Sequence, residues 1–386
     1  MKTVGFLIAS FLIMVVMGTV YTWSVFRVAV EVNYQANTLQ SGLPYMTSLF
    51  FYALSMMLTG RILTNKNLRY IALVGVFLIS IGWFMSSRSM SLLTLTISYG
   101  VFIGVGVGMV YGIPVYIVNQ RTNRSGLYAG IILSGFGASP LITAPLVHLW
   151  LVNHGLHPTF FYMALLSLIV LVPLVFVFSP PKAMHNLPSS PTPSTFNRTT
   201  FYYLYSLFLL ATTIGLTMIG LSYRIGVVNY GFNANTVTVF VAFFALLNGL
   251  SRPIFGSLVD RKGFIFSAKL SIILVVFATF IALMNEGQNL ILYSVSMGLY
   301  WFNLGAWLAM LPASIKRYFG TEDYAKRYGL MFTAYGFGAI FGTLLSGVLL
   351  DLFSFTRYLY VFVIIIFAVL SFLVFKLQRS HSPSIH

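Results

Sequence analysis

NGLSRPIFGSLVDRKG, residues 248–263, begins inside an apolar run and ends in a charged turn. We therefore expect it to pass from the membrane interior to water. Arg252 precedes Asp260 by eight residues, which in a helix corresponds to about 12 Å. Because the hydrocarbon half-thickness is about 15 Å, Arg252 is expected near the middle of the bilayer. A guanidinium at that depth is costly and usually faces a cavity or a partner. The stretch predicts a membrane helix that carries a functional cation.

The composition extends this prediction to the whole chain. Of its 386 residues, 58% are hydrophobic and 7% are charged, with a mean hydropathy of +0.90, whereas soluble domains carry about 25% charged residues. Long apolar segments recur from Val4 to Phe375, which favours α-helical spans over the short strands of a barrel. The first segment is longer than the apolar core of a signal peptide and lacks a small-residue cleavage site, so we interpret it as retained.

The net charge of +16 would suit a nucleic-acid-binding protein, but the cations are scattered among the turns rather than gathered in one stripe. We therefore predict no nucleic-acid partner. The absence of cysteine excludes disulfides, thiolate metal sites and thiol nucleophiles. The sequence also has no embedded acidic pair, metal-ligand motif or nucleophile motif. We predict no enzymatic activity, no metal site and no cofactor.

Twelve apolar segments are long enough to cross a membrane as helices of about 20–25 residues. A stretch rich in Pro, Ser and Thr, residues 180–200, separates the first six from the last six and is typical of a flexible linker. We predict an all-α membrane protein with an N-terminal half (1–179), a cytoplasmic linker (180–200), a C-terminal half (201–377) and a cytoplasmic tail (378–386). The predicted spans are 4–30, 43–63, 70–87, 92–118, 126–152, 158–179, 201–224, 235–259, 264–285, 290–315, 328–350 and 356–377.

The distribution of the cations predicts the orientation. Seventeen of the 22 lysines and arginines lie on one set of alternating faces, and Arg252 is embedded. Because loops rich in Lys and Arg stay on the cytoplasmic side, both termini are predicted to be cytoplasmic. The cations of the opposite, outer face are Arg27, Arg88, Arg224 and Arg357.

The two halves also share four features at offsets of 196–201 residues. A single match would be expected by chance, but four in register indicate a duplicated six-helix unit. In the first matched pair, Gly18 lies nine residues before Arg27, and Gly215 lies nine residues before Arg224. The matched features are Gly18 with Gly215, Gly60 with Gly256, Pro114 with Pro312, and Gly135–Ala138 with Gly336–Ala339.

Six plus six helices, a cytoplasmic linker and parallel repeats resemble the major facilitator superfamily of secondary transporters. The turn GSLVDRKG, residues 256–263, matches the G-x-L-x-D-R-x-G loop of that superfamily. The equivalent segment of the first half, residues 60–67, has Thr64 where the aspartate is expected. The resemblance implies a gating loop formed by Gly256, Asp260, Arg261 and Gly263.

More narrowly, the chain resembles the oxalate/formate antiporter family. The resemblance is carried by YTWSVF at 21–26, Tyr111 and Pro114 in span 4, Asn248-Gly249 and Arg252-Pro253 in span 8, and TAYG at 333–336. In that family an arginine of helix 8 and a lysine of helix 11 bind a dicarboxylate between the halves. Arg252 matches the arginine, but Tyr335 stands at the lysine position. The resemblance therefore implies an anion site at Arg252 and argues against oxalate itself.

The residues around Arg252 give an independent prediction of its partner. All six acidic residues lie in loops or at span ends, and an uncompensated ion in low dielectric costs several kcal/mol. We interpret the missing charge as an anionic substrate, and a single cation favours a monocarboxylate such as formate, lactate or pyruvate. Asn248 could orient the carboxylate. Tyr335, Tyr21 and Tyr111 could donate hydrogen bonds to it.

The sequence leaves other interpretations of these residues open. Arg252 could instead cap carbonyls freed by Pro253 or extend to the cytoplasmic surface, and each tyrosine could serve packing alone. Trp301 and Trp307 are candidate pocket walls. His148 is a candidate proton relay or a partly hydrated residue at the outer interface. The glycines of spans 4 and 5 are interpreted as sites of close helix packing.

The predicted function is secondary transport of a small organic anion across the cytoplasmic membrane, by alternating access around a site near the midplane. Because no acid is embedded, coupling would be exchange for another anion or entry with a proton carried by the substrate. The alternatives are an efflux transporter of apolar or cationic compounds, which would need an embedded acid, and a non-transporting membrane sensor, which would need a sizeable soluble segment. The predicted partners are the substrate anion and the lipid bilayer, and we predict a monomer.

Overall fold

The protein is built from long helices. A computed structural model describes residues 3–121, 125–178, 197–285, 289–320, 324–353 and 356–381, and no strand occurs among them. The predicted all-α architecture is thereby confirmed. The helices are α1 (Thr3–Met17, Gly18–Thr22 and Trp23–Tyr34), α2 (Thr38–Ile62), α3 (Leu68–Ser86), α4 (Leu92–Leu95, Thr96–Ile103 and Gly104–Arg121), α5 (Ser125–His154), α6 (Leu156–Val175), α7 (Arg198–Arg224), α8 (Ala234–Lys262), α9 (Phe264–Met284), α10 (Leu290–Phe319), α11 (Tyr324–Phe353) and α12 (Thr356–His381).

Ten of these helices are long and apolar enough to cross a membrane, judged on the residues that the structure describes. The other two, α2 and α10, have 25 and 30 residues but lack an apolar stretch of the kind that the ten contain. Both carry buried hydroxyl or amide side chains, among them Ser48 and Asn303. Several helices extend past the predicted apolar spans, because a helix keeps its own hydrogen bonds in the headgroup region, where polar side chains are tolerated.

Three of the described helices depart locally from regular α geometry, and in α7 the departure is a π-helical segment, Ile225–Asn229, that follows Arg224. α1 contains a 3₁₀ segment, Gly18–Thr22, and α4 contains a π-helical segment, Thr96–Ile103. A Cβ atom on Gly18 would lie 2.2 Å from the Phe136 carbonyl oxygen, so only glycine lets α1 come this close to α5. The tightened turn positions Tyr21, which follows three residues later, between the two sets of helices.

The first six helices meet the last six mainly along two lines. α5 packs along α8, and α2 packs along α11, and these are the most extensive helix pairs in the described molecule. Small residues allow this approach: Gly249 of α8 lies against Ala138 of α5, and Gly336 of α11 lies against Ala53 of α2. Side chains near the middle of these helices therefore face each other across the interface.

The predicted linker and tail lie partly outside the described residues. Of the linker, 180–200, the structure describes only 197 onward. Asn197 is the N-cap of α7, so that the last three linker residues are helical, as expected when a side-chain oxygen satisfies the free amides of a first turn. α12 likewise continues to His381, beyond the predicted start of the tail at 378.

Candidate functional site

Arg252 lies in α8 with its side chain fully enclosed, at 0% exposure. Its Nη1 donates to the main-chain carbonyl of Leu133 in α5 at 2.7 Å, and its Nη2 donates to Oδ1 of Asn248 at 3.2 Å. The centroid of the Phe136 ring is 5.8 Å from Cζ. The Nε–H has no hydrogen-bond partner, although a buried unpaired donor is costly. The Nε–H of the guanidinium is therefore free to donate.

The environment of Arg252 does not agree with two interpretations that the sequence left open, which are extension to the cytoplasmic surface and capping of a carbonyl freed by Pro253. Arg252 does not reach the cytoplasmic surface. The carbonyl that it contacts belongs to α5, whereas the carbonyl left free by Pro253 would be that of Gly249, four residues earlier in α8. Within the described parts of the chain the ion pairs are those of Glu31 with Arg27 and Arg224. The acids Glu286, Glu322 and Asp323 lie outside the described residues.

The structure brings Tyr21, Tyr111 and Tyr335 together beside Arg252. The hydroxyls of Tyr21 and Tyr335 are 2.8 Å apart, although 314 positions separate these residues in the chain. The Arg252 guanidinium lies close enough to the hydroxyls of Tyr21 and Tyr111 to act on them electrostatically. Each of the three tyrosines is at most 1% exposed. With Asn248, which is also fully buried, the five predicted site residues form one cluster at the interface of the halves.

Aromatic rings that the sequence did not single out enclose this cluster. The Tyr21 ring meets the Phe136 ring edge-on at 5.1 Å. Tyr335 stacks on Phe332 at 4.9 Å, and Tyr52 lies 5.1 Å from Tyr111. Such contacts depend on which rings share a face, and the sequence has too many aromatic residues for any one to stand out.

The two tryptophans proposed as pocket walls have different positions. The Trp301 ring lies 6.5 Å from the Tyr21 ring, and its Nε1–H is buried without a hydrogen-bond partner. Trp301 is therefore a wall of the cluster with a second free donor. Trp307 instead packs against Phe264 at the start of α9, with ring centroids 6.0 Å apart, so the structure does not support its assignment as a wall.

Asn248 holds the guanidinium in place through a hydrogen bond, and Gly137 leaves the space that the guanidinium occupies. Asn248 accepts from Arg252 and donates its own amide to the Trp301 carbonyl at 2.7 Å. A Cβ atom on Gly137 would lie 2.2 Å from Asn248 Oδ1 and 2.8 Å from Arg252 Nε. The interpretation of this glycine as a helix-packing residue was therefore incomplete, since it makes room for the cation.

The predicted gating loop lies at the end of α8, away from the cluster. Gly263 adopts a φ of +85°, which favours glycine, and its N–H donates to the Val259 carbonyl at 3.0 Å, which ends the helix. Asp260 is exposed and faces the charges of Lys316 and Arg317 in α10. In the first half, where Thr64 replaces the aspartate, the turn is closed by Asn67, whose Oδ1 accepts from the Thr64 N–H at 2.7 Å.

A second charged cluster lies at the opposite end of the helices from Asp260. Arg27 of α1 is 1% exposed and donates to the Gly220 carbonyl of α7 at 3.1 Å. Glu31, one turn after Arg27, accepts from Nε of Arg224 at 3.0 and 3.2 Å. Its Oε1 is 3.7 Å from Nε of Arg27. Arg27 and Arg224, which occupy equivalent positions in the two halves of the sequence, therefore share the carboxylate of Glu31.

Another carboxylate joins the halves at the same end. Asp351 of α11 accepts the main-chain N–H groups of Thr38 and Leu39 at the start of α2, both at 3.0 Å. A carboxylate at a helix N-terminus satisfies free amides and interacts favourably with the helix dipole. Together, Arg27, Glu31, Arg224 and Asp351 form what we call the outer charge cluster, after the outer face on which the distribution of cations in the sequence predicts it to lie.

His148 also lies at this end, and it is not part of the Arg252 cluster. Its Nε2 is 2.8 Å from Oδ1 of Asn235 in α8, and its Nδ1 is 3.5 Å from the Tyr223 hydroxyl. With Asn33 and Tyr223 it lines a cavity of about 340 Å³. His148 is half-buried, which agrees with the interpretation of a partly hydrated residue.

Comparisons of the sequence identify related proteins. The family model of the Major Facilitator Superfamily matches residues 6–312. The chain is 26% identical over 345 residues to the oxalate:formate antiporter of Oxalobacter formigenes, covering 87% of this chain and 82% of the antiporter. It is 23% identical over 350 residues to the uncharacterized MFS-type transporter YhjX of Escherichia coli strain K12, covering 86% and 85% of the two chains.

Comparisons of the fold give transporters of the same architecture. A bacterial homolog of the human lysosomal transporter Spinster, in an inward-facing and occupied conformation, aligns with a TM-score of 0.71 at 14% identity, covering 97% of this chain and 96% of that one. The human organic anion transporter MFSD10 (TETRAN) aligns with a TM-score of 0.70 at 14% identity, covering 95% and 98%. At this identity the likeness shows the fold alone.

Proposed function

This chain belongs to the Major Facilitator Superfamily of membrane transporters, and on that basis we propose that it carries a small organic anion, with monocarboxylates as its substrate class. The observation that carries the proposal is the fully enclosed Arg252, which has an unpaired Nε–H and lies beside the Phe136 ring. A carboxylate is the natural partner of a guanidinium, because both groups can form two parallel hydrogen bonds. Carriage of anions by two of the proteins compared above is consistent with this.

The charge of the site supports a monoanion. Arg252 is the cation of the cluster, and Tyr335 and Tyr21 add neutral hydroxyl donors. One guanidinium neutralises one carboxylate, so a dianion would bring a second negative charge into a low dielectric without compensation. A transporter of organic cations would need an acid at this depth. The described acids Glu31, Asp260 and Asp351 lie at the helix ends instead.

The proposed mechanism is alternating access. The anion binds Arg252 and the tyrosine hydroxyls between the halves, with Asn248 holding the guanidinium, and the halves rock to expose it to either side. We propose that the protein lies in the cytoplasmic membrane as a monomer with both termini cytoplasmic. The outer charge cluster then closes the external side, while the α8–α9 turn with Asp260 and Arg261 acts at the cytoplasmic side. Coupling is exchange or entry with a proton carried by the substrate.

The proposed substrate class is tested with purified protein and proteoliposomes. Formate, lactate and pyruvate are expected to raise the melting temperature, and at least one of them to be taken up. A ligand at 100 times its Kd stabilises the folded state by about 2.7 kcal/mol, which gives a measurable shift. Dicarboxylates are expected to have smaller effects. Stabilisation by an organic cation, with no response to any small carboxylate, would contradict the proposal.

A disulfide across the outer side is expected to stop transport. A Cβ atom on Gly347 of α11 would lie 2.8 Å from the Leu39 Cα and 3.1 Å from the Leu39 Cβ of α2. The two helices must therefore separate slightly to reach the roughly 3.5–4.5 Å between Cβ atoms that a disulfide needs. Because the chain has no cysteine, Leu39→Cys with Gly347→Cys gives one defined bridge. Uptake by the oxidised protein should be lost and should return on reduction.

The two single-cysteine variants are the controls for this experiment, since they carry the same substitutions without a bridge. Oxidation should leave their uptake unchanged. If the bridged protein transports as fast as its reduced form, the outer side does not need to separate and alternating access through this interface is excluded.

A further inference from the structure

Tyr328 of α11 lies beyond the Arg252 cluster, towards the helix ends that the proposed orientation makes cytoplasmic. It precedes Tyr335 by seven residues, which corresponds to about 10 Å along the helix. Its hydroxyl is close enough to Tyr111, Tyr324 and Arg252 to be acted on electrostatically. Tyr328 is 3% exposed, and its hydroxyl has no hydrogen-bond partner in the part of the chain that the structure describes. Buried polar groups are normally hydrogen-bonded, so this free donor needs an explanation.

Tyr328 also lines a cavity between α2 and α4 of the first half and α11 of the second half. The cavity has a volume of about 20 Å³, which is enough for about one water molecule. The lining residues with hydroxyl groups are Thr59, Tyr116, Tyr324 and Tyr328. The Tyr116 hydroxyl donates to Oδ1 of Asn65 at 3.3 Å, in the turn that follows α2. The cavity therefore leads from the Arg252 cluster towards the cytoplasmic ends of these helices.

The charges along this direction suit an anion. Two lining residues, Gly60 of α2 and Ala325 of α11, are each followed by an exposed cation, Arg61 and Lys326. An anion that leaves Arg252 through the cavity would pass neutral hydroxyl donors and then meet cations at the surface. A Cβ atom on Gly60 would lie only 2.6 Å from the Ala325 carbonyl oxygen. Because α2 and α11 lie so close together here, a carboxylate can pass only when they separate.

We propose that this cavity is the start of the cytoplasmic passage, and that Tyr328 is a further substrate contact, which donates its hydroxyl hydrogen to the carboxylate between Arg252 and the cytoplasm. Packing against Phe332, with ring centroids 5.8 Å apart, requires the Tyr328 ring but not its hydroxyl. A donor placed along the passage replaces hydration that the anion loses and so lowers the barrier to its movement. The inference rests on the proposed function and deepens it, because it assigns a route and a contact outside the binding cluster.

Tyr328→Phe tests the role of the hydroxyl. Because this hydroxyl makes no hydrogen bond within the described protein, the variant is expected to fold and to be as stable as the unaltered protein. Formate, lactate or pyruvate should still raise its melting temperature through Arg252. Uptake into proteoliposomes should fall by about tenfold, which corresponds to about 1.4 kcal/mol in barrier height. An unchanged uptake rate, or loss of anion binding together with uptake, would overturn the assignment.

Tyr99→Phe is the matched control. Tyr99 of α4 is also fully buried, and its hydroxyl has no hydrogen-bond partner among the described residues. It packs instead against Trp23 and Trp83, with ring centroids 4.4 and 5.2 Å away, and it is not part of the cavity lining. Its replacement should leave anion binding and uptake unchanged. An equal fall in uptake would mean that loss of any buried hydroxyl slows the carrier, and the role assigned to Tyr328 would be wrong.

A cysteine in the cavity tests the passage without any change at Tyr328. The chain has no cysteine, and the nearest atom to a Cβ on Gly112, Cε of Met56, is 4.0 Å away, so Gly112→Cys has room. During transport, a water-soluble, negatively charged thiol reagent should modify this cysteine and stop the uptake that the same variant shows without reagent. Ile97→Cys, at a 44% exposed apolar position of α4, should not react.

The outcomes of the cysteine experiment separate the inference from the proposed function. A Gly112→Cys protein that transports but does not react with the reagent would overturn the passage. Failure of every small carboxylate to bind or enter with the unaltered protein would instead contradict the proposed function.

Discussion

Replacing Arg252 with glutamine is expected to abolish substrate-dependent stabilisation and uptake. Glutamine keeps a donor for the Leu133 carbonyl, but it removes the charge that would meet the carboxylate. Removing one partner of a buried charged pair costs about 2–5 kcal/mol, roughly a 30-fold to several-thousand-fold loss of affinity. The measurement is the anion-induced rise in melting temperature, followed by uptake into proteoliposomes.

The same variant should also be at least as stable as the unaltered protein when no anion is added. The guanidinium is fully buried with a donor unpaired, and replacing a buried ion by a neutral group is often neutral or stabilising. Arg252→Lys is the matched control, because it keeps the charge but loses the planar fork. We expect it to retain weak anion binding. An anion that stabilises Arg252→Gln as strongly as the unaltered protein would remove Arg252 from the site.

Tyr335→Lys is expected to shift selectivity from monoanions towards dianions. The Tyr335 hydroxyl lies one hydrogen bond from the hydroxyl of Tyr21, which is within electrostatic range of Arg252. A second cation roughly 6 Å from a bound anionic group contributes about 3 kcal/mol at an effective dielectric of about 20. The ratio of dicarboxylate to monocarboxylate affinity should therefore rise by about a hundredfold, measured by competition for uptake.

Tyr335→Phe is the control for this change, because it removes the hydroxyl and adds no charge. It should weaken monocarboxylate binding by up to about tenfold, as expected for one hydrogen bond, with no gain for dianions. If Tyr335→Lys folds and binds mono- and dicarboxylates in the original ratio, then residue 335 does not face the anion. The monoanion assignment would then lose its electrostatic basis.

The sequence by itself determined the helices, and it predicts the depth of Arg252 and the orientation of the cations. These are local properties, because an apolar stretch of sufficient length must be helical in lipid, where every main-chain group has to be bonded within its own segment. The mismatch between an embedded cation and acids confined to the span ends was likewise visible in the order of residues. The resemblance carried by the 256–263 turn then agreed with the family match.

Only the tertiary structure showed which residues of the first six helices contact which residues of the last six. The sequence gives no register between α8 and α5, so that it could not show Leu133 as the partner of Arg252 or Gly137 as the space for it. Nor could it show that Arg27 and Arg224 share Glu31. Such contacts depend on the rotation and crossing of packed helices, which small residues set by close approach. A contact between residues that are hundreds of positions apart in the chain produces no periodic pattern in the sequence of either helix.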